Sequence, residues 1–170
     1  AARFDAQAAR IRVRFNREFF DGTRPTYSTG SQAALAIPLA LGLADASEAT
    51  RRALVDAIVR DIEQRGYATA GDVGFGSLLQ ALASYGRSGV VYRLLSQDEK
   101  PGYGYQLKKG ATALTETWDA SLGASHNHII MGQVIEWFYQ ALTGITPDAA
   151  GPGFKAIVLR PQPVDGLAWA

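Results

Sequence analysis

Hydrophobic positions fall along this chain in two alternating kinds of block. In residues 2–21, Phe4, Ala8, Ile11, Phe15 and Phe19 recur three to four positions apart, and Arg10, Arg12, Arg14 and Arg17 fill the other side. That spacing predicts an amphipathic helix with one apolar stripe, ended at Asp21-Gly22. Residues 30–44 are apolar nearly all round. They predict a helix buried on most sides, capped by Ser28 or Thr29. Pro38 should kink it, because it lacks a backbone donor and crowds the preceding turn. Residues 47–65 return to the amphipathic kind, with Leu54, Ile58 and Ile62 as the stripe and Gly66 as the stop.

A second apolar helix is expected over 75–85 and a short amphipathic one over 87–97. Residues 98–124 then lose all helical period and are rich in Gly, Tyr, Lys and Thr, the signature of a functional or disordered segment. A third apolar helix is expected over 127–143, capped by Asn127. Phe154 to Arg160 is β-branched, short and bounded by Pro161, which predicts a strand, and Leu167-Ala-Trp169 reads as the start of another. The thrice-repeated order of amphipathic then apolar predicts an all-α fold of three helical hairpins, each with a solvent-side and an inner helix. Residues 1–146 would hold the hairpins, and residues 147–170 a linker and the start of a β domain.

Three polar stretches, Thr26-Tyr-Ser-Thr29, Thr69-Ala-Gly-Asp-Val73 and Thr115 to His128, each immediately precede an inner helix. Hairpins laid parallel would gather all three at one rim above an apolar wall, which describes a ligand site.

Composition narrows the class. A net charge of +1 over 170 residues leaves no footprint for nucleic acid or an anionic membrane surface. The longest apolar run, Ala33 to Ala44, is too short to span a bilayer. The absence of cysteine removes thiolate nucleophiles, disulfides and Cys-based zinc sites. The chain starts at Ala1 rather than Met and ends on Gly166-Leu-Ala-Trp-Ala170, so a piece of a larger protein is expected.

Candidate chemistry concentrates in Gly110-Ala-Thr-Ala-Leu-Thr-Glu-Thr-Trp-Asp119 and Ser125-His-Asn-His128. An extended backbone would put Leu114, Glu116 and Trp118 on one face. A carboxylate beside an indole suits a sugar: the ring stacks on the apolar face and the acid works near the anomeric carbon. Asp119 would face the other way and cap a turn. His126 and His128, two positions apart with no second cluster, make a poor metal site, and neither a metal nor a cofactor is expected. His128 fits better as a hydrogen-bonding partner of sugar hydroxyls. Ser125, His128 and Asp72 suggest a triad on paper, but no nucleophile elbow accompanies them. Asp72 reads as a helix cap or a buried acceptor. Tyr103 and Tyr105 suit a stacking platform with Trp118 or simple loop packing.

The same two segments resemble the end of the catalytic domain of bacterial α-L-rhamnosidases, which carry "GATTLWE-x-W" followed by "S-x-NH". Thr69-Ala-Gly-Asp-Val-Gly74, Gly102-Tyr-Gly-Tyr105, Glu136-Trp-Phe-Tyr139 and Phe154-Lys-Ala-Ile-Val-Leu-Arg-Pro-Gln-Pro163 extend the resemblance along nearly the whole chain. The resemblance implies an (α/α)6 barrel, of which this chain is the second half, followed by a C-terminal β-sandwich. It also implies an inverting glycosidase in which Glu116 is the general base and His128 contacts the rhamnose in the pocket; Trp118, from its place beside the carboxylate, is the indole expected to stack on the sugar. Two departures stand out. Thr115 occupies a position where tryptophan is common, and the interval from Glu116 to His128 is shorter than in some members. The acidic, arginine-rich segment that carries the family's general acid has no counterpart here, so the chain alone is expected to be inactive. The open edge of a half barrel is expected to pair with a second copy. Two other functions fit the residues: a six-hairpin glycosidase acting on another deoxy sugar or a uronic acid, and a non-catalytic carbohydrate-binding or structural remnant.

Overall fold

The computed structural model describes residues 2–169. Helix α1, Ala2–Phe19, leads through a short antiparallel pair, β1 (Phe20–Asp21) and β2 (Thr26–Tyr27), to α2, Gln32–Ala40. Helices α3 (Glu48–Arg65) and α4 (Gly71–Ser84) follow, then α5, Ser88–Ser96, and α6, Tyr103–Lys108. The last inner helix runs from residue 129 to 142 in three conformations: a 3₁₀ turn over Ile129–Gln133, one α turn, α7, over Val134–Trp137, and a π turn over Phe138–Leu142. An antiparallel pair, β3 (Ile145–Pro147) with β4 (Ile157–Leu159), follows. No helix among the described residues is long and apolar enough to cross a membrane.

Local chemistry sets the cleanest boundaries. The Ser47 hydroxyl accepts the Thr50 N–H at 3.1 Å, and Gly66 closes α3 in the left-handed conformation with φ 81°, a position that Cβ disfavours. Leu54, Val55, Ile58 and Ile62 are its buried stripe. Helix α2 is capped by Ser31, not by Ser28 or Thr29, because the chain first turns at Gly30 with φ 70°. Pro38 does not kink a long helix. It sits in the last turn of a short one, and its carbonyl accepts the N–H groups of both Leu43 and Ala44 as the chain leaves.

The core gathers around α4, whose Phe75, Leu78, Leu79, Ala81 and Leu82 are all buried. At the crossing with α2, a Cβ on Gly74 would lie 2.9 Å from the Ala33 Cβ, so glycine lets the two backbones close up. Ala33 and Gly74 each lie near the start of their helices, so α2 and α4 meet near their N-terminal ends. Gly76 meets Gln133 in the same way at the start of the last inner helix. The three inner helices therefore present their N-terminal ends at one rim, as the alternation of blocks predicts.

Helix α1 departs from its expected role. None of its residues is buried, and Phe4 and Ile11 are 71% and 50% exposed. Only its C-terminal end is anchored, by Phe15 against Tyr27 and by Asn16, whose amide donates to Leu43 O at 2.7 Å and accepts from the Tyr27 hydroxyl. Its stripe has no covering layer among the described residues. At the other end, residues 160–164 fold back on the helices. The Gln162 amide donates to Ala83 O at 3.0 Å and accepts from the Ser88 hydroxyl, which in turn accepts the Trp137 indole N–H at 3.2 Å.

Candidate functional site

Two of the three polar stretches are tied to neighbouring inner helices by single side chains. Gln32, buried in the first turn of α2, donates to Asp61 at 2.8 Å and accepts the Thr69 N–H at 2.7 Å, holding the approach to α4. Helix α4 starts four residues before its apolar run, so Asp72 falls in its first turn. There Asp72 is neither a cap nor buried. Its Oδ1 accepts the Val73 N–H at 2.8 Å, and its Oδ2 lies 3.2 Å from His128 Nε2. These two bonds hold the Asp72 carboxyl below its ordinary value, His128 contributing most.

The Glu116 segment is not extended. Thr115 is fully buried, and its hydroxyl donates to Thr117 O at 2.7 Å, which bends the chain into a turn through residues 117–120. Leu114, Glu116 and Trp118 therefore do not share one face. Glu116 is exposed, and its carboxylate accepts the Ser125 N–H at 3.0 Å while its own N–H donates to Ser125 O at 2.9 Å. His128 N donates to Leu114 O at 2.9 Å. This short ladder sets the 114–116 and 125–128 strips side by side and brings Glu116 and His128 to the same rim. Glu116 is exposed while Trp118 and His128 are half-buried, so the three stand on a partly open shelf.

Trp118 packs edge-on against Phe75 and Tyr103, with ring centres 5.8 and 5.3 Å away. Tyr103 is half-buried and its hydroxyl donates to Met131 O; burial pushes its phenol up from the ordinary value. Tyr105 lies apart, under the Lys109 ammonium. Asp119 accepts the Ser121 N–H in the turn, and His126 contacts Ser121 O at 3.0 Å. Asn127 does not cap the last inner helix. The helix begins after His128 without a side-chain cap, and the Asn127 N–H goes to the Ser125 hydroxyl. Among the described residues the Ser125 hydroxyl makes no hydrogen bond to His128, whose Nε2 faces Asp72, so the three do not form a triad.

Sequence inspection misses Gln106. It is only 2% exposed on α6, and its amide nitrogen donates to Thr115 O at 3.0 Å and Thr117 O at 3.3 Å, the carbonyls on either side of Glu116. Nothing local marks it, since a glutamine in a Gly- and Lys-rich loop reads as surface. Thr115, at the tryptophan position of the resemblance, is part of this support beneath the shelf.

A family model for the bacterial α-L-rhamnosidase six-hairpin glycosidase domain matches residues 1–142 of this chain. The chain belongs to that family. It is 34% identical over 143 residues to an α-L-rhamnosidase of Streptomyces avermitilis, covering 78% of this chain and 14% of the relative. The crystal structure of an Aspergillus terreus α-L-rhamnosidase superposes on it with a TM-score of 0.86 at 26% identity, over 96% of this chain and 20% of the other. The Streptomyces avermitilis enzyme complexed with L-rhamnose gives 0.84 at 31% identity, over 96% and 16%. The fold is thus that of helical hairpins from a six-hairpin glycosidase domain. The chain spans no more than a fifth of the length of these relatives.

Proposed function

We propose that the whole protein is an α-L-rhamnosidase that hydrolyses terminal α-L-rhamnosides with inversion, and that Glu116 is its general base. The observation that carries this is the exposed Glu116 carboxylate on a loop anchored from both flanks, on the same rim as His128. In an inverting reaction the base takes a proton from water as it attacks the anomeric carbon, while an acid protonates the departing oxygen. The two carboxyl groups stand about 6.5–9.5 Å apart to admit the water. His128 contacts the sugar hydroxyls. Trp118 offers its indole to the ring and, through Phe75 and Tyr103, fixes the shelf to α4 and α6. No metal or cofactor takes part in this scheme.

The general acid is assigned to residues outside this chain, because the acidic, arginine-rich segment expected to hold it has no counterpart here. Residues 1–146 are then three hairpins of the six, and residues 147–170 lead into a β domain. Glu116→Gln in the whole protein should lower kcat on an aryl α-L-rhamnoside by about 10²–10⁴-fold, the usual worth of a general base. Activity within a few-fold of wild type would end the assignment. The purified 170-residue chain should be inert on the same substrate, and robust turnover would contradict an external acid.

In the isolated chain, we infer that a second copy covers the open edge. Phe4, Ile11 and Phe19 on α1, with Ile135 and Phe138 on the last inner helix, are exposed apolar side chains, and such surface associates unless something shields it. Light scattering should give twice the chain mass at high concentration; a monomer there refutes the pairing.

A further inference from the structure

Asp72 and His128 are 56 positions apart, yet their side chains meet across the rim. Two polar atoms of Asp72 serve to hold it still. Oδ1 accepts the Val73 N–H, and its backbone carbonyl accepts the Gln133 amide at 3.4 Å. The remaining oxygen, Oδ2, is directed at the imidazole. A carboxylate only accepts, so the facing Nε2 must carry the hydrogen. In the neutral ring Nδ1 is then a bare acceptor. Nε2 takes the ring's contact with Asp72, and no buried side-chain nitrogen or oxygen among the described residues lacks a partner, so Nδ1 opens to solvent.

We propose that Asp72 is a positioning residue of the sugar site, which fixes His128 in the tautomer and orientation that present Nδ1 as an acceptor to a hydroxyl of the bound sugar. This rests on the rim binding a sugar, as proposed above. It adds a direction to that contact: the hydroxyl donates and the imidazole accepts. It also gives the pair a job that neither residue has alone, because an unanchored imidazole would exchange tautomers and rotate about its side-chain bonds.

A double-mutant cycle in the whole protein tests it, with an aryl α-L-rhamnoside as substrate. Asp72→Ala and His128→Ala should each raise KM by about three- to tenfold, the fold-change expected for one neutral hydrogen bond, with kcat within a few-fold of wild type. The double variant should be no worse than His128→Ala. Asp72→Asn keeps one oxygen for two bonds; with that oxygen on the Val73 N–H, its amide NH2 faces Nε2 and forces the opposite tautomer, so it should lose as much as Asp72→Ala, a loss that a merely structural role would not produce. If Asp72→Ala does not fold, Asp72→Ser, which keeps an acceptor for the Val73 N–H, replaces it. Additive losses, or an unchanged KM in the Asp72 variant, overturn the positioning role. Failure of the sugar reading looks different: no rhamnoside turnover by the wild type, or full activity in Glu116→Gln.

Discussion

Gln106 offers the sharpest test of how the candidate base is held. Its amide nitrogen bridges Thr115 O and Thr117 O, and at 2% exposure no bulk water stands ready to replace it. Consider Gln106→Met, which keeps the length and approximate volume of the side chain and deletes its amide group, the donor included. Thr117 O retains the Thr115 hydroxyl at 2.7 Å. Thr115 O loses its side-chain donor and becomes a buried, unsatisfied carbonyl, which costs about 1–3 kcal/mol. For a chain of this size that corresponds to a fall in melting temperature of about 2–12 °C. The loss should also be local. The Glu116 N–H, which bonds Ser125 O from the bridged strip, should exchange faster with solvent than amides in α3. Thermal melting and hydrogen exchange on the purified chain read both quantities. A change below about 0.5 kcal/mol, the range of ordinary surface substitutions, with Glu116 exchange unaltered, would refute the claim that Gln106 supports the shelf.

Other expectations are brief. Gly74→Val places its Cβ at 2.9 Å from the Ala33 Cβ and should cost about 1–3 kcal/mol by overpacking, read as a lowered urea midpoint. The raised phenol of Tyr103 gives stability that is fully present below its ordinary value of 10.0 and is lost as pH climbs beyond it. In an alkaline titration followed by phenolate absorbance, Tyr103→Phe should therefore leave the absorbance developed up to pH 10.0 unchanged; a loss of one tyrosine's worth there contradicts the burial argument.

What could be read from the chain depended on how far each feature's cause extends along it. Helix α3 was fully legible because Ser47, its stripe and Gly66 are all local causes. The alternation of blocks pointed to the hairpins for the same reason, their solvent-side and inner helices being marked by local pattern. The stripe of α1 promised a covered face, but amphipathicity states only which side is apolar, not whether a layer meets it. Likewise, alternation along 114–118 assumed an extended strip, and the buried Thr115 side chain bends it instead. Buried glutamines such as Gln32 and Gln106 leave no trace in pattern, since their partners are backbone groups many residues away. The uniform helix expected over 127–143 gave way to 3₁₀, α and π turns. There the Tyr103 hydroxyl donates to Met131 O, a contact that hydropathy cannot register.

The rim itself depends on small residues well below the chemistry. Gly74 lets α2 and α4 close up beside the Gln32 anchor, and Gly76 does the same between α4 and the last inner helix. A Cβ on Gly76 would fall 1.8 Å from the Gln133 side-chain oxygen. That amide could move aside, but it is the one that holds the Asp72 carbonyl, so relief of the clash would loosen the residue that orients His128. The interval between inner helices and the geometry of the sugar contact are therefore set by the same few atoms. A glycine one turn along α4 from Asp72 can on this account alter KM, because the carboxylate and the imidazole meet only when their helices lie at that distance.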